Sequence, residues 1–185
     1  MSAPTITVCG DSCIRIVSTE PTAEERWSQV QRVAAELDRT GTLGIRDVIT
    51  TYDAALVEFD CAALTHADII AEVQKLDVDA AGALRAPREF VIPVVYGGEH
   101  GPDLAVVADH LGVSEADVVA LHSASPLTMR CFGSPGGAPM LDGPDFGLPI
   151  PRLGSPRPHV PAGAIAVAGG QAVISARPEP GEIGR

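Results

Sequence analysis

Proline and glycine constrain this chain more than any other feature. Residues 126–185 hold eleven prolines and eleven glycines but only nine charged side chains. Proline removes a backbone donor and glycine raises the entropic cost of a helix, so a long helix is excluded there. Short apolar segments between turn residues, 91–96 and 164–168, instead predict a β-barrel or sandwich. Residues 1–87 hold only seven glycines and prolines together, with seven basic and fourteen acidic side chains. This change of character predicts two domains, 1–87 and 88–185, in a 185-residue chain long enough to bury two small cores.

The first domain reads as strands and helices in turn. Segments 5–8 and 13–17 flank a Gly10-Asp11-Ser12 turn. Thr22, three residues before Glu25, is a capping box that opens an amphipathic helix with Trp27, Val30, Val33, Ala34 and Leu37 on its buried stripe. Segments 48–51 and 54–59 follow, where Val57 and Phe59 alternate with Glu58 as in a half-buried strand. Thr65 and Asp68 then cap a second helix, with Ile69, Ile70, Val73 and Leu76 on one face. The order β-β-α-β-α predicts an α+β domain with its helices on one side of a sheet.

Charge narrows the possible partners. The 24 acids and 13 bases leave a net charge of −11, opposite to what counterion release from nucleic acid or anionic lipid requires. Leu104, Val107, Ala108 and Leu111 form a helical stripe, and Ser114 with Asp117 caps a second helix through Val118 and Leu121, which imitates a helix-turn-helix. Residues 98–125 nevertheless contain Glu99, Asp103, Asp109, Glu115 and Asp117 and no lysine or arginine, so phosphate would be repelled. No apolar run approaches the roughly 20 residues of a membrane helix, and residues 1–5 lack the basic head of a secretory signal, so the chain reads as cytoplasmic. Cys9, Cys13, Cys61 and Cys131 contain no C-x-x-C pair and read as reduced thiols with no metal site.

Common catalytic motifs are missing: there is no G-x-S-x-G, P-loop, H-E-x-x-H or post-strand G-x-G-x-x-G. In their place stand glycine and proline turns, among them Tyr96-Gly97-Gly98-Glu99 and Ala168-Gly169-Gly170-Gln171, whose backbone groups can line a pocket. The polar residues with reach are His122, Arg152, Arg157 and Gln171. His122 either caps a helix C-terminus or lines a pocket as donor or base. Arg152 and Arg157 are either solvated loop arginines or a clamp for carboxylate or phosphate. Gln171 either anchors an amide or carboxylate or is a turn side chain. Pro156 and Pro158 brace Arg157 on both sides, which favours it over Arg152 as the anion anchor.

The stretches Phe90-Val91-Ile92-Pro93-Val94-Val95-Tyr96-Gly97-Gly98-Glu99-His100-Gly101-Pro102-Asp103-Leu104, Leu121-His122-Ser123-Ala124, Ser155-Pro156-Arg157 and Val160-Pro161-Ala162-Gly163-Ala164-Ile165-Ala166-Val167-Ala168-Gly169-Gly170-Gln171, in that order, resemble the family of the 5-oxoprolinase B subunit. That family includes KipI-type kinase inhibitors and allophanate hydrolase subunit 1, the carboxyltransferase subdomains C and D. Gly10-Asp11-Ser12, Tyr52 and Leu56-Val57-Glu58-Phe59-Asp60 match in order as well. The resemblance implies a small N-terminal α+β domain followed by a cyclophilin-like β-barrel, working with a homologous-barrel partner like the 5-oxoprolinase C subunit or allophanate hydrolase subunit 2. It implies a hydrolase subunit that acts on a small amide or lactam. In one branch the assembly opens 5-oxoproline to glutamate with ATP met at the level of the complex; in another, the paired barrels are the carboxyltransferase part of a biotin-dependent urea carboxylase. On this reading His122 and Arg157 are catalytic, and Arg152, Gly169, Gly170 and Gln171 bind substrate. The non-catalytic alternative is a kinase inhibitor or scaffold.

The chain departs from the family where aromatics are expected. Ser134, Ala138 and Met140 replace three rings, Ser175 stands for a tyrosine, and a Gly-Gly-Trp stretch is shortened to Pro180-Gly181-Glu182. Each lost ring removes a flat apolar wall, and together they remove roughly several kcal/mol of ligand binding, which leaves the family's usual substrate open to question. The stop at Arg185, where the family continues by roughly another pair of strands, predicts either open barrel edges covered by a partner or a divergent or shortened member.

Overall fold

The computed structural model describes residues 2–77, 86–133 and 137–175. The chain divides into two units, Met1–Arg88 and Glu89–Arg185.

In the first unit, strands β1 (Thr5–Cys9), β2 (Cys13–Val17), β3 (Ile45–Thr50) and β4 (Ala54–Phe59) form an antiparallel sheet in the order β1-β2-β4-β3. Helix α1 (Ala23–Thr40) lies between β2 and β3 in sequence, and α2 (His66–Lys75) follows β4. The observed order is therefore β-β-α-β-β-α. Residues 48–51 and 54–59 lie on two separate strands, because the backbone and side chain of Thr51 both donate to the Ala54 carbonyl, at 2.7 and 3.0 Å, and close a hairpin.

Both helices begin as their sequences require. Thr22 accepts from the Glu25 N–H at 3.2 Å while its own N–H donates to the Glu25 carboxylate at 3.1 Å. Thr65 and Asp68 make the same reciprocal pair at 2.8 and 3.3 Å. Gly41 ends α1 in the left-handed region, φ 58°, where any Cβ is strained. Ile14 and Ile16 on β2 and Val57 and Phe59 on β4, spaced two apart, share one face, and Val33 and Leu37 of α1 and Ile69 and Val73 of α2 join them in a single core. Trp27 and Ala34, expected on the buried stripe of α1, are only half-buried, whereas Gln29 and Glu36 are buried.

The second unit holds helices α3 (Leu104–Leu111) and α4 (Glu115–Ala124) and strands β5 (Met129–Phe132), β6 (Pro139–Asp142), β7 (Ile165–Ala168) and β8 (Gln171–Ile174). The strands pair antiparallel in the order β5-β6-β8-β7. The chain is thus α+β, but among the described residues this sheet is open and no closed barrel forms. Residues 91–96, expected as a strand, carry no strand pairing, and Val91 is 99 % exposed. Apolar β-branched residues suit a strand, but a ladder partner decides one, and Pro93 offers no N–H to it. The strand expected at 164–168 is present as β7. Ser134 and the 180–185 stretch lie outside the described residues.

The units differ in how well they close. Among the described residues, eleven of the seventeen buried hydrophobics lie in the first unit, whereas twelve of the fifteen exposed large hydrophobics lie in the second.

Residues 1–88 expressed alone are expected to unfold in one cooperative transition. Phe59→Ala should lower the stability of that unit by about 3–5 kcal/mol, since it empties the middle of the core. Urea denaturation followed by circular dichroism checks both; a gradual profile for 1–88 would show that this unit does not fold alone.

Candidate functional site

The two-residue turn Gly169-Gly170 joins β7 to β8, with Ala168 opposite Gln171. Glycine is needed here twice. Gly169 has φ 61°, the conformation that a tight hairpin imposes. At Gly143, a Cβ would stand 2.8 Å from the Gly170 carbonyl carbon and oxygen. That close approach lets the Gly143 N–H donate to the Gly170 carbonyl at 2.7 Å. On the other side Gly169 bridges Ile150, donating to its carbonyl at 2.6 Å and accepting from its N–H at 3.3 Å. The expectation of bare backbone groups is therefore corrected at Gly169, whose N–H and carbonyl are both taken; the turn contributes shape.

The bridge brings residues 149–152 beside the turn. Together with His110 they line a shallow groove of about 680 Å³ that also takes in Ala168, Gly169, Gly170 and Gln171. His110, on α3, reaches the Pro149 carbonyl with Nε2 at 3.1 Å. A carbonyl only accepts, so Nε2 carries the proton. Gln171 faces Asp142 across the β6–β8 pair, and the Asp142 carboxylate is paired with Arg130 Nε at 2.6 Å. Arg152 is exposed and makes no ion pair among the described residues. In a strongly acidic chain, this groove thus presents an uncompensated guanidinium beside an amide side chain, a combination suited to a small carboxylate.

Four of the six expected site residues, Arg152, Gly169, Gly170 and Gln171, meet in this groove. Arg157 and His122 do not line it. Both arms of the Arg157 fork are filled: Nη1 and Nη2 donate to Asp103 Oδ2 and Oδ1, each at 2.5 Å. Arg157 holds the Asp103 carboxyl below its ordinary value of 3.8. Asp103 sits at the N-cap of α3 without capping it, because its carboxylate is spent on Arg157.

His122, in the last turn of α4, packs edge-on against Tyr96, with Tyr96 Oη 2.6 Å from His122 Nδ1. Burial lowers the His122 pKa and raises that of Tyr96, so a neutral imidazole faces a neutral phenol. The helix-cap alternative for His122 gives way to this contact. Tyr96 is set by a tight loop: Gly97 and Gly98 have φ 74° and 54°, and a Cβ on Gly101 would strike Gly97 N at 2.4 Å.

Sequence reasoning missed His110, Asp103 and Tyr96 as site residues. Tyr96 and Asp103 stand within the family-like stretch 90–104, but nothing near His110 in sequence marks it. Another hollow, about 620 Å³ along α1 and β3, is lined by Asp38, Arg46 and Asp47 among others and holds none of the expected residues. Among the described residues no three His, Cys, Asp or Glu side chains are grouped to hold a metal ion, and no helix is long and apolar enough to cross a membrane.

Unfolded, the His122 imidazole takes up a proton below about 6.5; folded, burial withholds that proton until a lower pH. The unfolded state then binds more protons, so stability is expected to fall as pH drops from about 6.5 through the folded value. His122→Gln should flatten that slope. The lowered carboxyls act in a separate window, Asp103 below 3.8 and Glu25 and Glu36 below 4.5. Denaturation of wild type and variant across a pH series checks this, and an unchanged slope in the variant would assign the dependence to another group.

The sequence profile described as carboxyltransferase domain, subdomain C and D, matches residues 4–182. The 5-oxoprolinase B subunit of Escherichia coli O157:H7 is 44 % identical over 100 residues, 54 % of this chain and 46 % of that protein. The Bacillus subtilis (strain 168) protein of the same name is 28 % identical across 93 % of this chain and 76 % of its own length. The crystal structure of TTHA0988 superposes with a TM-score of 0.72 at 31 % identity, covering 89 % of this chain and 31 % of that one. The K. lactis urea amidolyase superposes at 0.68 over 94 % of this chain and 12 % of its own, but at 14 % identity it shares the fold alone. The chain thus spans about half the length of the E. coli relative and under a third of TTHA0988. With residues 4–182 matched, the chain belongs to the carboxyltransferase domain family, subdomains C and D.

Proposed function

We propose that this chain is a subunit of a heteromeric complex that processes a small amide or lactam, as 5-oxoprolinase does, and that its second unit holds the carboxylate of the substrate. The observation that carries this is Arg152, unpaired among the described residues, beside Gly169, Gly170 and Gln171 in one groove. The relatives named as the B subunit of 5-oxoprolinase support the reaction class.

Arg152 takes the carboxylate in bidentate fashion, and Gln171 offers an amide donor and acceptor to the lactam or amide. His110, by holding Pro149, fixes the strand of backbone that carries Arg152. Tyr96 and His122 form a neutral pair able to pass a proton, with His122 as base. Arg157, expected as the anion anchor, instead ties its proline-rich segment to Asp103 at the start of α3. One arginine and one histidine do not match the several charges of a nucleoside triphosphate, so no step on this chain is routed through ATP. Biotin likewise has no assigned place here.

The partner is a second barrel-type subunit. Phe90, Val91, Ile92 and Val95 are 55–99 % exposed, and exposed apolar side chains grouped in this way suit a protein interface. In the non-catalytic reading, an inhibitor or scaffold uses the same surface without the groove.

Calorimetry with 5-oxoproline on the complex assembled with its partner subunits separates these readings. Arg152→Lys keeps the charge but loses the planar fork, and should weaken binding by about 1–3 kcal/mol. Arg157→Lys should leave affinity unchanged and cost little stability, since its ion pair is half-exposed. Equal affinity for wild type and Arg152→Lys would sink the groove assignment, and a larger loss at Arg157 would restore it as the anchor. The isolated chain should bind a hydrophobic dye, and co-expression with the partner subunit should abolish that signal; a dye-silent monomer would argue against the interface.

A further inference from the structure

We propose that Cys9 and Cys13 form a reversible disulfide across the β1–β2 hairpin, a thiol modification site in the first unit. The two are direct partners in the antiparallel register and close the Gly10-Asp11-Ser12 turn. Directly opposed residues stand with Cα atoms about 4.5–5.5 Å apart and side chains on one face of the sheet. A disulfide spans Cα separations of about 4.4–6.8 Å, so directly opposed cysteines stand within its reach.

Three further observations single out this pair. Both thiols are free, Cys9 exposed and Cys13 half-buried, so one is open to a solution oxidant and the other is set to resolve it. The turn between them is held from outside the hairpin: the Phe59 N–H donates to the Ser12 carbonyl at 2.8 Å, and His66 Nε2 donates to the Gly10 carbonyl at 3.1 Å. The opposed geometry is therefore maintained in the reduced protein. Finally, among the described residues β1 is an edge strand paired with β2 alone, and a bond at its end would fasten it there. No metal cluster competes for these thiols among the described residues.

The oxidant is a peroxide. The Cys9 thiolate attacks one oxygen of hydrogen peroxide, the O–O bond breaks, and hydroxide leaves behind a sulfenic acid. The Cys13 sulfur then attacks the Cys9 sulfur and the S–O bond breaks. The hydroxyl departs as water with the Cys13 proton. The two thiols together lose two electrons and two protons to one peroxide, which becomes two waters; a dithiol reverses the change.

Cleavage by trypsin after Arg15 releases residues 1–15, a peptide that contains both cysteines and no other. The full chain is treated with hydrogen peroxide, alkylated with iodoacetamide, digested and weighed by mass spectrometry. The expected peptide is two hydrogens lighter and unalkylated, and dithiothreitol before alkylation restores two labels. Cys9→Ser and Cys13→Ser should each abolish the species. Cys61, exposed and two residues beyond Phe59, is the competing partner, so Cys61→Ser should leave the result unchanged. A doubly labelled peptide after peroxide, a link to Cys61, or a cross-linked dimer would overturn the proposal.

Discussion

The second unit depends on one close approach of backbone to backbone, Gly143 against Gly170. Their hydrogen bond of 2.7 Å exists because Gly143 carries no Cβ into the gap. It anchors the β7–β8 turn on one side while the Ile150 bridge anchors it on the other. Residues 149–152 lie in irregular backbone, where position is set by whatever the chain hydrogen-bonds to. Without the turn as an anchor, Arg152 would be a solvated loop residue. With it, Arg152 lines one groove with Gly169, Gly170 and Gln171.

Two arginines five residues apart show how placement, not residue type, assigns a role. Flanking prolines stiffen the backbone at Arg157, an argument about entropy that holds for any ligand, including one supplied by the chain itself. Here that ligand is Asp103, which offers both oxygens at 2.5 Å. A fork already filled must break a charge-assisted pair before it can bind a carboxylate, whereas Arg152 makes no such pair among the described residues. On the proposed reading of the groove, the cost of exchange favours Arg152.

The contrast between the two cores has a common cause with the missing strand. In the first unit four strands and two helices enclose Phe59, Ile14 and Val57 completely. In the second, α3 and α4 each bury a single residue, Ala108 and Val118, and the apolar stretch from Phe90 to Val95 lies largely in solvent. Hydrophobic surface that the unit leaves uncovered is surface another chain can cover, and the free energy of doing so favours assembly.

What the amino-acid order determined alone is local. The three capping boxes at Thr22, Thr65 and Ser114 join residues three apart, and the buried Val30, Val33 and Leu37 of α1 and Ile69 and Val73 of α2 need only the helical period, so these were legible. The Gly169-Gly170 turn was legible too, yet β8 was not, because Gln171–Ile174 is too short to show a period of its own. Tertiary structure decided the rest. Tyr96 and His122 are 26 residues apart, and Asp103 and Arg157 are 54 apart; no periodicity links such pairs, and residues 91–96 have strand composition without a strand's partner. Capping and helical stripes depend on neighbours a turn away, which the chain always supplies. Salt bridges, ladders and grooves depend on which distant segments the fold brings within about 3 Å of one another, the reach of a hydrogen bond.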